Sequence, residues 1–288
     1  MKRTIAGAMN WGVWGADLSQ DEMIQLIQQC IEGGVTTFDH ADIYGGYTTE
    51  RSWGEAWEEV GFNRDQIQII SKCAICIPCD ERPQYSIKHY NHSSQHIIES
   101  VKRSIENLRC DYLDEILIHR PGPLMQAETI GSAIDQLKSE GLIKRCGVSN
   151  FTPSQMELLE SVGISFNQME ISFFNMTAMH DGTIDYCMKN QIEVQAWSPI
   201  GGGSLFKPSS DINLIQLRSR LNMIAQKYGW TLDQMAYIFL LHHPAQIRPV
   251  AGSSKWSRIE TAVKAEDISI SDEQWYEIWT AAAGNDVP

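Results

Sequence analysis

The chain has 288 residues, 43% of them hydrophobic, with 21 Gly and 10 Pro, a composition that excludes disordered and fibrous proteins. A formal net charge of −13 at pH 7 disfavours nucleic acid and anionic membranes as partners, and no apolar run reaches the roughly 18 residues of a membrane span. Seven cysteines, an odd number without paired spacing, indicate free thiols in a reducing compartment, so we expect a cytoplasmic protein.

Short strand-like runs alternate with segments of helical periodicity along the whole chain. A polar segment with Pro83, residues 80–92, predicts a long loop after the third strand, and a late amphipathic helix carries Trp275 and Trp279. In chain order, the predicted strands and helices are 4–9 then 21–32, 35–38 then 50–60, 67–71 then 96–108, 116–119 then 129–139, 143–148 then a helix beginning at Thr152 and Pro153, 166–171 then 184–189, 192–197 then 213–228 and 231–242, and 247–251.

Eight strand–helix units with short connections favour a parallel barrel over an open sheet. No GxGxxG motif follows the first strand, so a Rossmann fold would lack its fingerprint. No linker-like change of composition interrupts the chain. We therefore expect one α/β domain over residues 1–288, a single (β/α)8 TIM barrel, and the pattern leaves its oligomeric state open.

Four titratable side chains stand where predicted strands end, which is where such barrels carry their chemistry. Asp39 ends the second strand, Tyr44 follows five residues later, Lys72 ends the third strand and His119 ends the fourth. A cation such as Lys72 would stabilise a tyrosinate and lower the pKa of Tyr44, and Asp39 would hold that cation in place. Such a tyrosine can protonate an alkoxide as it forms from a carbonyl, while His119 orients the carbonyl oxygen.

Each of these residues taken singly also has an ordinary structural interpretation. Asp39 could cap a loop, Tyr44 could be a loop aromatic, Lys72 a solvated strand end and His119 a core histidine. Their coincidence at the same end of successive strands favours the functional interpretation.

Motifs spread over nearly the whole chain give it a resemblance to the aldo-keto reductases. They occur in that family's order, and the start of the chain, NWGVW at residues 10–14, resembles bacterial members. The resemblance implies the family's Asp–Tyr–Lys–His tetrad at Asp39, Tyr44, Lys72 and His119. The matching segments are FDHADIYG at 38–45, ISK at 70–72, LIHRP at 117–121, GVSNF at 147–151, AWSPIGGG at 196–203 and VAGSSK at 250–255.

The resemblance also implies an NADP(H) cofactor and a small carbonyl substrate. In the family, the residues matching Ser149, Asn150 and Gln168 bind the nicotinamide carboxamide, and an aromatic residue stacks on the ring, which here is Trp197 instead of the more frequent Tyr. The loop 198–205, with Ser198, Gly201 and Gly202, would wrap the pyrophosphate with backbone N–H groups. Without the flanking match, the three glycines would predict only a flexible turn.

The adenine end of the cofactor is implied at Gly252, Ser253, Lys255 and Arg258, where arginine suits a 2′-phosphate. The sequence departs from the family at Gly252, where many members have Lys, and at residues 261–262, where they have Glu-Asn. The choice between NADP(H) and NAD(H) therefore stays open. A solvated helix start would also explain Lys255 and Arg258.

Two further sets of residues have competing interpretations. The spacing of Cys73, Cys76 and Cys79 is part of an iron–sulfur run, but the fourth ligand is missing, so we expect core thiols and no metal. The indoles of Trp11, Trp14 and Trp53 could line an apolar substrate pocket or pack in the core. The pair His242 and His243 precedes the last strand, at the wrong end of the barrel for chemistry.

The leading hypothesis is an NADP(H)-dependent reduction of an aldehyde or ketone with Tyr44 as the acid. The alternative is a non-catalytic sensor that binds NADPH and reports redox state to a partner, as some relatives of the family do. A metal-dependent barrel hydrolase would need His and carboxylate ligands clustered at strand ends, which eight scattered histidines do not supply.

Overall fold

Eight parallel strands close into a barrel in the computed structural model, which describes residues 2–287. Every strand pairs with its sequence neighbours, and β8 closes the barrel on β1 with Ile5 opposite Val250. The predicted (β/α)8 fold is therefore confirmed. The strands are β1 Ile5–Gly7, β2 Thr37–Asp39, β3 Gln68–Cys73, β4 Leu113–Ile118, β5 Ile143–Ser149, β6 Phe166–Glu170, β7 Glu193–Trp197 and β8 Arg248–Ala251.

Within residues 2–287, ten α-helices surround or follow these strands. The start of α5 at Pro153, with Thr152 accepting a hydrogen bond from the N–H of Gln155, agrees with the predicted N-cap. Other predicted ends differ by a few residues. The helices are α1 Gln20–Glu32, α2 Thr49–Val60, α3 Ser94–Asn107, α4 Ala127–Ser139, α5 Pro153–Leu158, α6 Thr183–Lys189, α7 Ile212–Tyr228, α8 Leu232–Leu241, α9 Trp256–Ala265 and α10 Asp272–Ala283.

The fourth strand is longer than its apolar run, because its charged residues are paired inside the protein. Asp114 accepts hydrogen bonds from Arg64 (2.7 Å) and from the N–H of Ile69 (2.9 Å). Glu115 points into the barrel and accepts from Gln195 (2.9 Å). Paired charges can be buried in a strand, whereas a sequence pattern marks them as exposed.

The polar segment after β3 is anchored by a hairpin that its sequence did not predict. Residues Ile75–Cys76 pair antiparallel with His89–Tyr90, so the end of the predicted loop 80–92 is a short strand. Two-residue strands are too short to produce an alternating pattern. The hairpin fixes both ends of the intervening segment next to the carboxyl ends of β3 and β4.

Within residues 2–287, buried apolar side chains form three clusters: one between the barrel and its helices, a smaller one inside the barrel, and one of Ala41, Ile43, Tyr44, Tyr47 and Ile75 beyond the ends of β2 and β3. Five fully or nearly fully buried side chains make up the inner cluster: Ile5, Ile70, Leu117, Phe166 and Val250. Among the helices of residues 2–287, none is both long enough and apolar enough to cross a bilayer.

Helix α2 touches the end of α3 at a glycine, and this contact gives a stability test. A methyl group at Gly54 would lie 2.0 Å from the carbonyl oxygen of Asn107, so we expect Gly54→Ala to lower the free energy of unfolding by about 1–3 kcal/mol. Gly131→Ala in α4 is the control, since its nearest neighbour would be Val162 at 3.7 Å and alanine favours a helix by about 0.5–1 kcal/mol. Denaturant unfolding of both variants tests this; equal stabilities would contradict it.

Candidate active site

Four candidate side chains meet at the carboxyl ends of β2, β3 and β4. The Lys72 ammonium donates to both carboxylate oxygens of Asp39, to the carbonyl oxygen of His40, each at 2.7 Å, and to the hydroxyl oxygen of Tyr44 at 3.2 Å. The His119 ring lies edge-on to the Tyr44 ring, with centroids 6.2 Å apart. The residues that the sequence placed at strand ends thus form one cluster.

Strand register and main-chain hydrogen bonds bring these residues together. Asp39 is opposite Ile70, two residues before Lys72. Beyond the strand ends, the N–H of Asp42 donates to the carbonyl of Lys72 (3.0 Å), and the N–H of His119 donates to the carbonyl of Cys73 (3.0 Å). These bonds fix how the loops leave the barrel.

The turn that carries Tyr44 depends on a glycine. Gly45 has a φ of 62°, which favours residues without a Cβ. A Cβ at Gly45 would also lie 2.5 Å from Oγ1 of Thr49, at the start of α2. The tight turn directs the phenol back over Lys72.

Burial and charge set the protonation states in this cluster. Burial raises the pKa of the Tyr44 phenol above its ordinary value, and the opposite effect of Lys72 is smaller. The expectation of a lowered Tyr44 pKa is therefore not met, because the sequence could not weigh desolvation. Burial has the largest single effect on Lys72 and lowers its pKa, but the charges and hydrogen bonds of Asp39 and Tyr44 together outweigh it, so the pKa is raised and the ammonium stays charged.

His119 is a neutral imidazole in this environment. Burial lowers its pKa well below the ordinary value, and the charges of Lys72 and Arg120 act in the same direction. Its Nδ1 is buried and makes no hydrogen bond within residues 2–287. The other ring nitrogen, Nε2, is left to meet a ligand.

The predicted carboxamide residues adjoin the same cluster. Gln168 donates through Nε2 to Asp39 (2.8 Å) and to Gln195 (3.1 Å). Asn150, which has a φ of 60°, donates to the hydroxyl oxygen of Ser149 (2.9 Å) and accepts from the Trp197 indole (3.1 Å). Ser149, Asn150 and Trp197 thus form one hydrogen-bonded group. The N–H of Asn150 also donates to the carbonyl of Gln168 (3.0 Å), so Gln168 links this group to Asp39.

The glycine-rich segment after β7 turns sharply. Ser198, Gly201 and Gly202 have φ values of 51°, 60° and 60°. A Cβ at Gly201 would lie 2.1 Å from the Phe174 ring, so this position has no room for a side chain. Lys207 donates to the carbonyl of Gly202 (2.9 Å) and covers the turn.

The predicted adenine-end residues follow β8. The carbonyl of Gly252 accepts from Asn10 (3.0 Å), and the Ser253 hydroxyl accepts from the N–H of Lys255 (3.1 Å). Lys255 and Arg258 are exposed at the start of α9, and within residues 2–287 neither has a carboxylate within 4.0 Å. They are therefore available to an anionic group.

Sequence comparison decides the family. The sequence model of the Aldo/keto reductase family matches residues 3–282. The chain belongs to the aldo/keto reductase family. Members of this family are in general NAD(P)-dependent carbonyl reductases, so the predicted oxidoreductase class and nicotinamide cofactor are confirmed at that level.

Individual relatives agree with the family. A Bacillus subtilis (strain 168) protein named Uncharacterized oxidoreductase YcsN is 40% identical over 99% of this chain and 96% of its own length. The 6-dehydroglucose reductase of Agrobacterium fabrum is 36% identical, covering 96% and 94% of the two chains. The crystal structure of the thermostable aldo-keto reductase Tm1743 with the inhibitor epalrestat superposes with a TM-score of 0.80 at 26% identity, over 98% of this chain and 95% of that one.

The polar groups near Trp197 fit the nicotinamide carboxamide of the family's cofactor. The Ser149 hydroxyl oxygen accepts from Asn150 and Arg120, so its own hydrogen is free to donate to a carbonyl. Within residues 2–287, the NH2 group of the Gln168 amide donates two hydrogen bonds, so the amide oxygen is left to accept one from the NH2 group of the carboxamide. One donor and one acceptor are what a primary amide needs.

The structure also shows where the tryptophans and cysteines with competing interpretations lie. Trp14 is 47% exposed and lies 6.3 Å from the Tyr44 ring, whereas Trp11 and Trp53 are fully buried, so of the two interpretations core packing holds for Trp11 and Trp53. Cys73 and Cys76 are buried free thiols and Cys79 is half-buried. Within residues 2–287, no three His, Cys, Asp or Glu side chains are grouped as metal ligands.

One charged residue of the site escaped the sequence analysis. Arg120 lies in the motif LIHRP but received no role, because a loop arginine is ordinarily solvated. In the structure it donates to Ser149 and lies beside Trp197. The only available signal was its position directly after His119. By contrast, His242 pairs with Asp272 (3.0 Å) before β8, away from the cluster.

Proposed function

We propose that this protein is an NADP(H)-dependent reductase of aldehydes or ketones in which Tyr44 is the general acid. The contact that carries the proposal is the hydrogen bond from Lys72 to the Tyr44 oxygen, with Asp39 holding the ammonium. Because that oxygen accepts from Lys72, the phenolic hydrogen is free to point at a carbonyl oxygen. A role in acid catalysis explains why a lysine with 1% exposed side chain is kept in the barrel.

Each residue of the cluster would have a separate role in the reaction. When bound, the reduced nicotinamide supplies the hydride. Tyr44 gives its proton to the carbonyl oxygen, and Lys72 stabilises the negative charge that this leaves on the phenol. Neutral His119 donates through Nε2 to the same carbonyl oxygen and orients it, provided that its proton is on that nitrogen.

Ser149, Asn150 and Gln168 would hold the carboxamide, and Trp197 would stack on the ring. The backbone of Ser198, Gly201 and Gly202 would surround the pyrophosphate, as its left-handed conformations allow. Fixing the ring in this way presents one face to the substrate, so hydride transfer would be stereospecific. The seven free cysteines fit a reducing, cytoplasmic location.

Ser253, Lys255 and Arg258 would bind the 2′-phosphate of NADPH, with Gly252 beside them, and this preference is directly testable. We expect the double substitution Lys255→Ala and Arg258→Ala to raise the Kd for NADPH by about 10- to 100-fold, because two charge-assisted contacts are lost. The Kd for NADH should change by less than about threefold. Cofactor titration by tryptophan fluorescence measures both constants.

The matched control for this prediction is Lys264→Ala on the same helix. Lys264 is paired with Glu260 at 2.8 Å and lies two turns further along α9. We expect the Lys264→Ala variant to bind NADPH with the same Kd as the parent protein. Equal weakening of NADPH and NADH binding in the double variant would show that Lys255 and Arg258 do not bind the 2′-phosphate.

The experiment that tests the proposed function is the oxidation of NADPH with a panel of aldehydes, ketones and sugar aldehydes. The sugar aldehydes belong in the panel because one relative is named a 6-dehydroglucose reductase. Turnover that depends on Tyr44 would support a reductase. Tight NADPH binding without turnover of any carbonyl would contradict it and would favour a redox sensor, for which a partner would then be sought.

A further inference from the structure

The side chain of Arg120 crosses the boundary between the tetrad and the proposed nicotinamide site. Its Nη1 donates to the carbonyl oxygen of His119 (2.7 Å) and to the hydroxyl oxygen of Ser149 (3.0 Å). Its Cζ lies 5.8 Å from the centre of the Trp197 ring. The cation is therefore surrounded by residues to which the proposed reaction assigns a role.

Both hydrogen-bond partners of this guanidinium are uncharged. Within residues 2–287, no carboxylate lies within 4.0 Å of it, and Glu170 acts on it only from farther away. By contrast, the arginines on barrel strands β5 and β8 are paired, Arg145 with Glu115 and Arg248 with Glu193. A half-buried cation without an anionic partner is costly, since neutral oxygens only partly replace the lost water.

Three N–H groups of Arg120 remain available to a ligand. Its Nε and Nη2 make no hydrogen bond within residues 2–287. Neither atom is fully buried, so a ligand can reach both of them. Together they form one edge of the guanidinium, which matches the two oxygens of a carboxylate or phosphate. The guanidinium that carries this free edge borders the tetrad, because its Nη1 bonds to His119 and Ser149.

The charges around the site agree with this geometry. Burial lowers the pKa of Arg120, while Tyr44, Tyr90 and Glu170 act in the opposite direction. Lys88, in the hairpin segment, is near enough that its charge helps to lower the pKa of His119. Since Lys72 is neutralised by Asp39 and His119 is neutral, Arg120 gives the pocket an uncompensated positive charge, although the whole chain carries −13.

We propose that Arg120 forms an anion subsite of the substrate pocket, so that the preferred substrates are carbonyl compounds that also carry a carboxylate or another anionic group. The proposal rests on the reductase function and deepens it by naming a substrate class. A neutral polyol could also accept hydrogen bonds from Arg120, but it would not supply the missing negative charge.

The test compares related substrates with and without a carboxylate. The pairs are 4-carboxybenzaldehyde with benzaldehyde, and D-glucuronate with D-glucose, the second pair separating recognition of charge from recognition of hydroxyl groups. For each pair the ratio of the two kcat/KM values is measured in the parent, Arg120→Met, Arg120→Lys and the control Lys189→Met, an exposed lysine at the end of α6. The ratio is insensitive to partial misfolding of a variant.

We expect the parent to prefer the anionic member of each pair. Arg120→Met should lower that preference by about 10- to 100-fold, the value of one charge-assisted contact. Arg120→Lys keeps the charge but not the two-donor edge, so it should keep only part of the preference. Lys189→Met should behave as the parent. The preference should also fall as salt is raised.

A parent enzyme that turns over neutral carbonyls without preferring the anionic ones would overturn the subsite and leave the reductase function intact. An unchanged preference in Arg120→Met would overturn it as well. If the parent reduces no carbonyl, the reductase function fails, and binding decides the subsite: 4-carboxybenzyl alcohol should bind the NADP+ complex at least tenfold more weakly in Arg120→Met than in the parent. Equal binding would refute the subsite.

Discussion

Replacing Tyr44 by phenylalanine is expected to lower kcat for carbonyl reduction by about 100- to 10,000-fold, the usual contribution of a positioned general acid. The phenyl ring keeps the packing against Trp14 and His119 and removes only the hydroxyl group that accepts from Lys72. The Kd for NADPH should stay within about threefold of the parent value. Steady-state kinetics and fluorescence titration measure the two quantities.

The matched control is Tyr47→Phe, three residues further along the same buried turn. The Tyr47 hydroxyl donates to the carbonyl of Ile75 and accepts from the N–H of Ile77, both at 3.2 Å, so it holds the hairpin and does not meet Lys72. We expect its kcat to stay within about fivefold of the parent, since a lost neutral hydrogen bond has a modest effect. Near-normal turnover of Tyr44→Phe would refute the proposed acid.

The second large effect is expected from Lys72→Met, which should abolish activity and also destabilise the fold. Lys72 and Asp39 side chains are 1% and 4% exposed, so removing the ammonium leaves a buried carboxylate with only Gln168 as a side-chain donor. Breaking such a buried pair costs about 3–5 kcal/mol of unfolding free energy. Denaturant unfolding and NADPH oxidation are measured on the same preparation.

A double variant separates the two effects of Lys72. Asp39→Asn combined with Lys72→Met removes both charges, so we expect most of the unfolding free energy to return. Activity should not return, because the cation beside the Tyr44 oxygen is still missing. Recovery of both stability and kcat would mean that Lys72 acts only as a structural partner of Asp39.

The sequence was most informative where a local pattern ends at a functional residue. The apolar runs before Asp39, Lys72 and His119 predicted strands, and parallel strands in a barrel have their carboxyl ends on one face, so the cluster could be predicted. Tyr44 was singled out by its position five residues after Asp39, and the family motif agreed; its turn depends on Gly45. All four residues follow from signals that are local in the chain.

Contacts between distant segments could not be predicted in the same way. The pairing of Glu115 with Gln195 joins residues 80 positions apart, and it depends on the register of four successive strands. Trp53 resembled a pocket residue, but its helix turns it inward against Trp57, with ring centroids 5.6 Å apart. The uncompensated charge of Arg120 depends on what is absent around it, which no single-residue pattern encodes.

The hairpin of Ile75–Cys76 and His89–Tyr90 gives this enzyme a modular architecture. Its two strands hold both ends of a twelve-residue segment, residues 77–88. A change in the length of this segment would have a small entropic cost and would leave Lys72 on β3 and His119 after β4 in their positions. Substitutions in this segment can therefore change the surface next to the tetrad without moving the tetrad itself. Because the same hairpin holds both of its ends, we expect residues 77–88 to be exchangeable between related barrels without displacing Lys72 or His119.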